Sequence, residues 1–260
     1  MLKREGLGLV AVSYDPVAVL ADFSTRRGIT FPLLSDAGSA VIKQYGILNT
    51  TVAPTSTNYG IPFPGTFFLD ANGAVTSRHF ETAYQERDTI MSVLVKRGAK
   101  VARPATKIEA AHLTLTTYLT DDVAAPGTHF SAVVEVTPGA RIHVYAPGVA
   151  GYKPVAIDIH PQPGLVVRGA RYPASEDYFF KPLNEHVAVY QRPFRIVQDF
   201  EIDPAPQAAE ALKDRREMAI AGTFAYQACD DKVCFTPQAA PLTWTIGLRG
   251  LDRERAAPRP

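Results

Sequence analysis

The period of the apolar positions changes part-way along the chain. Leu7 to Ser13 is a short unbroken apolar run, the pattern of a strand buried on both faces. Asp15-Pro16 then reads as an N-cap followed by proline at the first helical position. Val17, Leu20 and Ala21 share one helical face, and Gly28 is the stop. A shorter helix holds Val41, Ile42 and Tyr45 and ends at Gly46. Thr66 to Leu69 predicts a strand, Asp70-Ala71-Asn72-Gly73 a hairpin turn, and Ala74 to Phe80 the returning strand. A last helix is expected over residues 85–96, closed by Gly98.

Beyond a linker at residues 99–107 the period falls to two. Strands are expected around Leu113 to Leu119, Phe130 to Val136, Val155 to Ile159, Arg195 to Ile202, Met218 to Tyr226 and Leu242 to Leu248. An Ala/Gln/Glu-rich connection at 204–216 has room for a turn or two of helix. Of the 21 prolines, six precede residue 105 and fifteen follow it, so the second part is denser in turn-formers, as a many-stranded β domain requires. The expected architecture is α/β over residues 1–98, an all-β sandwich of immunoglobulin type over 108–250, and a frayed tail at 251–260.

Composition narrows the function classes. The 260 residues are about 1.7 times a typical domain, which fits two. A hydrophobic share of 46% rules out a disordered chain. The charge balance of 27 − 26 = +1 gives no electrostatic case for nucleic acid or an anionic membrane. No apolar run approaches the ~18–20 residues of a membrane helix, and no signal peptide is expected behind Met1-Leu2-Lys3-Arg4-Glu5-Gly6. Two cysteines exclude a disulfide-rich scaffold and a four-cysteine zinc site.

Those cysteines carry the chemistry. In Phe224-Ala225-Tyr226-Gln227-Ala228-Cys229-Asp230-Asp231-Lys232-Val233-Cys234-Phe235-Thr236-Pro237, aromatic strand residues flank a polar tip. If residues 230–233 form the turn, Cys229 and Cys234 oppose each other at a Cα separation of about 4.5–5.5 Å, within disulfide reach. Closing so short a loop removes only about 2 kcal/mol of unfolded-state entropy, against about 4–5 for a long one. Such a bridge is a poor staple and is suited to opening and closing. A structural disulfide or a pair of inert or metal-binding thiols are the other readings. Asp230 and Asp231 disfavour the thiolates and Lys232 offsets only one of them, so a passive electron carrier is expected rather than an activated nucleophile.

Tyr226-Gln227-Ala228-Cys229…Cys234-Phe235-Thr236-Pro237 resembles the redox hairpin of the N-terminal immunoglobulin-like domain of the thiol:disulfide interchange protein DsbD family. The resemblance covers roughly residues 107–250. That family has one more residue between its cysteines, so a tighter tip is expected here. The resemblance implies electron transfer between thiol–disulfide partner proteins in the periplasm. It also implies an aromatic cap loop, matched by Glu176-Asp177-Tyr178-Phe179-Phe180-Lys181, with Tyr178 at the cap and Phe179 beside it. Tyr145, in Arg141-Ile142-His143-Val144-Tyr145, matches a tyrosine-bearing strand near the family's site. Aromatic lids exclude water and stray thiols and are protein-binding surfaces, although the same residues also suit a sandwich core.

Residues 1–98 resemble a peroxiredoxin or redoxin of the thioredoxin-like fold. The matching stretches are Val10-Ala11-Val12-Ser13-Tyr14-Asp15, Gly28-Ile29-Thr30-Phe31-Pro32-Leu33-Leu34-Ser35-Asp36 and Pro64-Gly65-Thr66-Phe67-Phe68-Leu69-Asp70. Pro64 is a candidate for the cis-proline of such folds. The segment that bears the family's catalytic cysteine is absent, and no cysteine precedes Cys229. The resemblance therefore implies an N-terminally truncated domain without peroxidase or exchange activity of its own, and leaves an unpaired edge on the Leu7–Ser13 strand.

Gly6-Leu7-Gly8-Leu9-Val10-Ala11 has the letters of a dinucleotide fingerprint but enters a strand instead of leaving one. No cofactor is expected. The six histidines (79, 112, 129, 143, 160, 186) show no ligand spacing and read as exposed or hydrogen-bonded strand residues, with His143 and His160 able to approach on neighbouring strands. No metal is expected. Asn49-Thr50-Thr51 is a glycosylation triplet by letter alone. The leading reading is a thiol–disulfide oxidoreductase working through Cys229/Cys234, with Tyr178 and Phe179 as lid and Tyr226, Gln227, Phe235 and Tyr145 as neighbours. The competing readings are a non-catalytic interaction module with a structural bridge, and a cysteine-less remnant of a thioredoxin-like peroxidase.

Overall fold

A computed structural model describes residues 2, 6–80, 87–180 and 184–250. The chain divides into two units, Met1–Arg87 with Asp252–Pro260, and Asp88–Leu251. The expected tail at 251–260, residues 85–86 of the expected helix and Lys181 of the expected cap lie outside the described residues.

In the first unit, β1 (Ala11–Ser13) and β2 (Leu33–Ser35) pair in parallel, with α1 (Val17–Arg27) between them in sequence. Pro16 is the N-cap of α1, and Gly28, at φ 59°, closes it by taking the left-handed conformation that β-carbon sterics deny most residues. Asp15 is not the cap; it accepts a hydrogen bond from Ser13 Oγ at 2.5 Å. α2 (Ala40–Gln44) follows, its Ala40 and Ile42 amides held by the carboxylate of Asp36 at 2.9 Å each. β3 (Gly65–Leu69) and β4 (Val75–Phe80) form the expected hairpin, with Asp70 Oδ1 accepting from the Asn72 and Ala74 amides. The peptide before Pro64 is trans. One expectation fails. The Leu7–Ser13 run is not buried on both faces: Val10 is 51% and Val12 45% exposed. Among the described residues β1 has β2 as its only strand neighbour, so there is no central strand to bury its far side.

β5 (Arg87–Asp88) lies at the division. The second unit holds α3 (Ile90–Lys96), β6 (Thr106–Ala110), β7 (Leu113–Leu119), β8 (Val123–Ala124), β9 (Thr128–Pro138), β10 (His143–Tyr145), β11 (Ala156–Ile159), β12 (Leu165–Arg171), β13 (Glu176–Phe180), β14 (Glu185–Tyr190), β15 (Phe194–Ile202), α4 (Pro206–Leu212), β16 (Glu217–Tyr226), β17 (Ala228–Cys229) and β18 (Gln238–Leu248). One layer runs β12-β15-β9-β7-β6; the other is made of β11-β16-β18-β8 and β13-β14-β10-β17. Period-two alternation builds the core between the layers. Phe130, Ala132, Val134 and Val136 of β9 meet Met218, Ile220 and Phe224 of β16 and Leu242, Trp244 and Ile246 of β18 in one cluster. The molecule is thus an α/β unit followed by an all-β immunoglobulin-like sandwich.

α3 corrects the expected boundary at Gly98. Val95 packs with Tyr118, Val133 and Val197 on the outer face of the sandwich, and Ser92 Oγ lies 2.7 Å from Ser131 Oγ. The helix ends the first half in sequence, but its apolar side is buried on β9 and β15. The expected linker is shorter as well, since β6 begins at Thr106.

Candidate functional site

β16 and β18 pair as far as Tyr226 and Gln238, and then the chain leaves their sheet. β17 crosses to the edge of the β13-β14-β10 sheet, where Cys229 pairs with His143 and Ala228 with Val144. The tip is closed locally. The Asp230 amide donates to Val233 O at 3.0 Å, and Asp230 Oδ1 accepts from the amides of Lys232 (2.8 Å) and Val233 (2.7 Å). Those two amide bonds hold the Asp230 carboxyl below the usual carboxylate range. Cys229 and Cys234 face each other as an antiparallel bridge pair and are joined in a disulfide with a Cα separation of 4.1 Å. At the base, Phe235 N donates to Ala228 O at 2.9 Å. Gln227 Nε2 donates to Phe235 O at 3.1 Å, while Gln227 Oε1 accepts from the Lys153 amide at 3.0 Å.

The sheet that receives β17 has two apolar faces. Val144, Ala188, Tyr190 and Ala228 face the sandwich core. The residues one step along, Tyr145, Val187, Val189 and Cys229, form a separate cluster with Val149, Tyr152, Tyr178 and Cys234. Alternation thus puts a small second core around the disulfide. Cys229 is fully buried within it, at 0% exposure, and Cys234 is half-buried.

Tyr145 lies at the centre. Its Oη is 3.0 Å from Cys229 Sγ and 3.2 Å from Cys234 Sγ. A disulfide has no proton to give, so the tyrosine hydroxyl is the donor. Burial first, then Tyr152, Glu185 and Tyr178, push the Tyr145 phenol upward, so it stays protonated. The Tyr152 ring stacks on Tyr145 at 4.1 Å, and its hydroxyl donates to Glu185 Oε1. Tyr178 closes the other side, its ring 4.5 Å from that of His143 and its Oη donating to Asp231 Oδ1 at 3.1 Å. That bond ties β13 to the hairpin tip.

Several sequence-derived roles change. The stretch from Glu176 to Phe180 is a strand paired with β14 rather than a loop. Alternation along it sends Tyr178 toward the cysteines and Phe179 to the opposite face, where it is 42% exposed and its ring lies 5.0 Å from that of His186. Phe179 does not cover the disulfide. Tyr226 points into the main core, its Oη donating to Ala111 O at 2.8 Å, and anchors the strand before the hairpin. Phe235 stacks on the His112 ring at 3.8 Å. His143, read from sequence as exposed or hydrogen-bonded, is 2% exposed, and its Nε2 has no hydrogen-bond partner. His160 follows β11 in the other sheet, so the two do not approach on neighbouring strands. Among the described residues no group of three or more His, Cys, Asp or Glu side chains is placed to hold a metal ion. Tyr152 and His143 are the site residues that the sequence did not place beside the cysteines. For His143 a signal existed, because in a strand it shares a face with Tyr145, two residues away.

Residues 1–78 match the AhpC/TSA family. No curated protein matches the chain. Among solved structures, the N-terminal periplasmic domain of ScsB from Proteus mirabilis is similar at 12% identity and a TM-score of 0.39, over 53% of this chain and 49% of that one. The chain therefore spans about half the length of that protein. The Neisseria meningitidis DsbD N-terminal domain in the reduced form is similar at 11% identity and a TM-score of 0.31, over 45% of this chain and 81% of that one.

Proposed function

We propose that the chain is a thiol–disulfide redox protein that carries electrons by dithiol–disulfide exchange at Cys229 and Cys234. One observation carries this reading: a protonated phenol, Tyr145, stands within hydrogen-bond distance of both sulfurs. A purely structural bridge has no need of a donor there. A thiolate released at either sulfur does, because burial without a partner is costly.

Exposure orders the steps. A partner thiolate attacks Cys234, the half-buried sulfur. The S–S bond breaks and its electron pair stays on Cys229, toward which the Tyr145 hydroxyl donates. The partner's second thiolate then attacks its own sulfur in the mixed disulfide. The partner leaves as a disulfide and the cysteine pair is reduced by two electrons. Asp230 and Asp231 keep the pair a poor nucleophile, so the partner supplies the reactive thiol. Tyr178, held to the tip through Asp231, is the lid that a partner displaces.

In this reading residues 108–250 form a DsbD-type redox domain. Residues 1–98 are redoxin-like and contain no thiol, so exchange rests on the hairpin alone. The partners are thiol–disulfide proteins, and the periplasm is the fitting compartment because a couple of this kind needs an oxidising or poised setting. Brief treatment of the folded chain with reduced glutathione, an acid quench and peptide mapping test the order of attack. Glutathione is expected on Cys234, with Cys229 free. A bridge that reacts only after denaturation contradicts the proposal.

A further inference from the structure

A buried imidazole shares the face of the disulfide and has no role in the steps above. His143 is the cross-strand partner of Cys229, so the two side chains project to the same side of the sheet, their β-carbons about 5 Å apart. Tyr145, two residues on, reaches both sulfurs from that same face. The His143 ring is walled by Tyr145, edge-on at 5.6 Å, and by Tyr178 at 4.5 Å. Its Nε2 is buried and unpartnered, although buried polar atoms are nearly always paired.

We propose that His143 is the proton carrier of the Cys229/Cys234 couple, taking up a proton as the disulfide opens and passing it to the sulfur of Cys229. This deepens the carrier reading and rests on it. When a partner dithiol reduces the bridge, two electrons arrive with its two sulfurs, and each cysteine sulfur must finally gain one proton. Cys234 is half-buried and takes its proton from solvent. Cys229 is fully buried, and His143 takes a proton from solvent as the bridge opens, hands it to that sulfur and is neutral again. The groups around the ring suit a change of charge. Burial lowers the His143 pKa and keeps it neutral while the bridge is closed, and the charges of Asp231 and Asp230 act in the opposite direction. Tyr145 and Tyr178 are themselves shifted upward and stay neutral. A thiolate at Cys229 adds a negative charge beside the ring, which favours the imidazolium.

The test is the rate at which dithiothreitol opens the bridge in the full chain from pH 5 to 8, compared at equal thiolate concentration. His143→Gln keeps a polar group and removes the titration; His143→Phe keeps a ring. Both variants are expected to open about 100-fold more slowly than the parent at low pH, with the gap closing as pH rises. A parent-to-variant ratio within about threefold of one at every pH overturns the proposal and leaves the carrier reading standing. A parent bridge that opens only on unfolding overturns both.

Discussion

Among the described residues the Tyr145 hydroxyl is the donor seen at both sulfurs, and it lies there because Tyr145 alternates with Val144 across the sheet. A hydrogen bond to a charged acceptor stabilises by about 1.5–3 kcal/mol, which is one to two pKa units of a thiol. Tyr145→Phe therefore leaves the fold and the bridge in place and raises the pKa of the buried thiol of the reduced chain by about one unit or more, as read by alkylation across pH. A reduced parent whose thiols already titrate well below the free value of about 8.5 contradicts the passive-carrier account. At this scale Tyr145 and Tyr178 were reached only through the family resemblance, since both lie far from the cysteines along the chain and no local pattern ties them to the hairpin. The sequence was misleading about Phe179, because adjacent residues look equivalent until the backbone is known to be a strand. His143 stayed hidden for a related reason: burial, which deprives Nε2 of a partner, is a tertiary fact.

Among the elements, the hairpin was legible because its register depends only on local chain. Four residues between the cysteines, with an aspartate first, close a turn whatever the rest of the fold does. α3 was legible as a helix but not as part of the sandwich, since its apolar residues do not say which sheet they cover. Its seat is also ionic. Lys96 Nζ is 2.8 Å from Asp88 Oδ1 and 3.4 Å from Asp199 Oδ2, and Ser131 Oγ donates to Asp199 Oδ1 at 2.6 Å. Burial by itself would raise the Asp88 carboxyl, but hydrogen bonds from His129 and Lys96, and their charges, bring it down to about 2. The folded value lies below the ordinary 3.8, so this stabilisation is complete above that pH and disappears as pH falls through about 2. It amounts to about 2 kcal/mol. Asp88→Asn should therefore lower the urea midpoint at pH 6, and the difference from the parent should shrink steadily toward pH 2. A difference independent of pH contradicts this account of the seat.

Across the whole molecule the two units differ in how much core they have. Leu20 and Ile42 are the buried apolar side chains described in Met1–Arg87, whereas the sandwich holds a continuous core from Leu113 to Ile246. Regions with few buried apolar contacts open at low free energy. Hydrogen exchange is therefore expected to label the amides of residues 6–80 well before those of β7, β9 and β16; equal protection in both units contradicts it. The α/β order of the first unit could be read from its alternating elements, while its exposed Val10 and Val12 could not, because burial of a strand depends on neighbours that sequence periodicity takes for granted. Both cysteines lie in the sandwich, so the proposed exchange is confined to that unit.

The most direct measurement is the reduction potential of the Cys229–Cys234 bond in the folded chain, read by equilibrating it in glutathione or dithiothreitol buffers and trapping free thiols. A carrier must give electrons up as readily as it takes them, so a value near about −200 mV is predicted. A value below about −300 mV, out of reach of any glutathione-like pool, belongs to a structural bridge and contradicts the account.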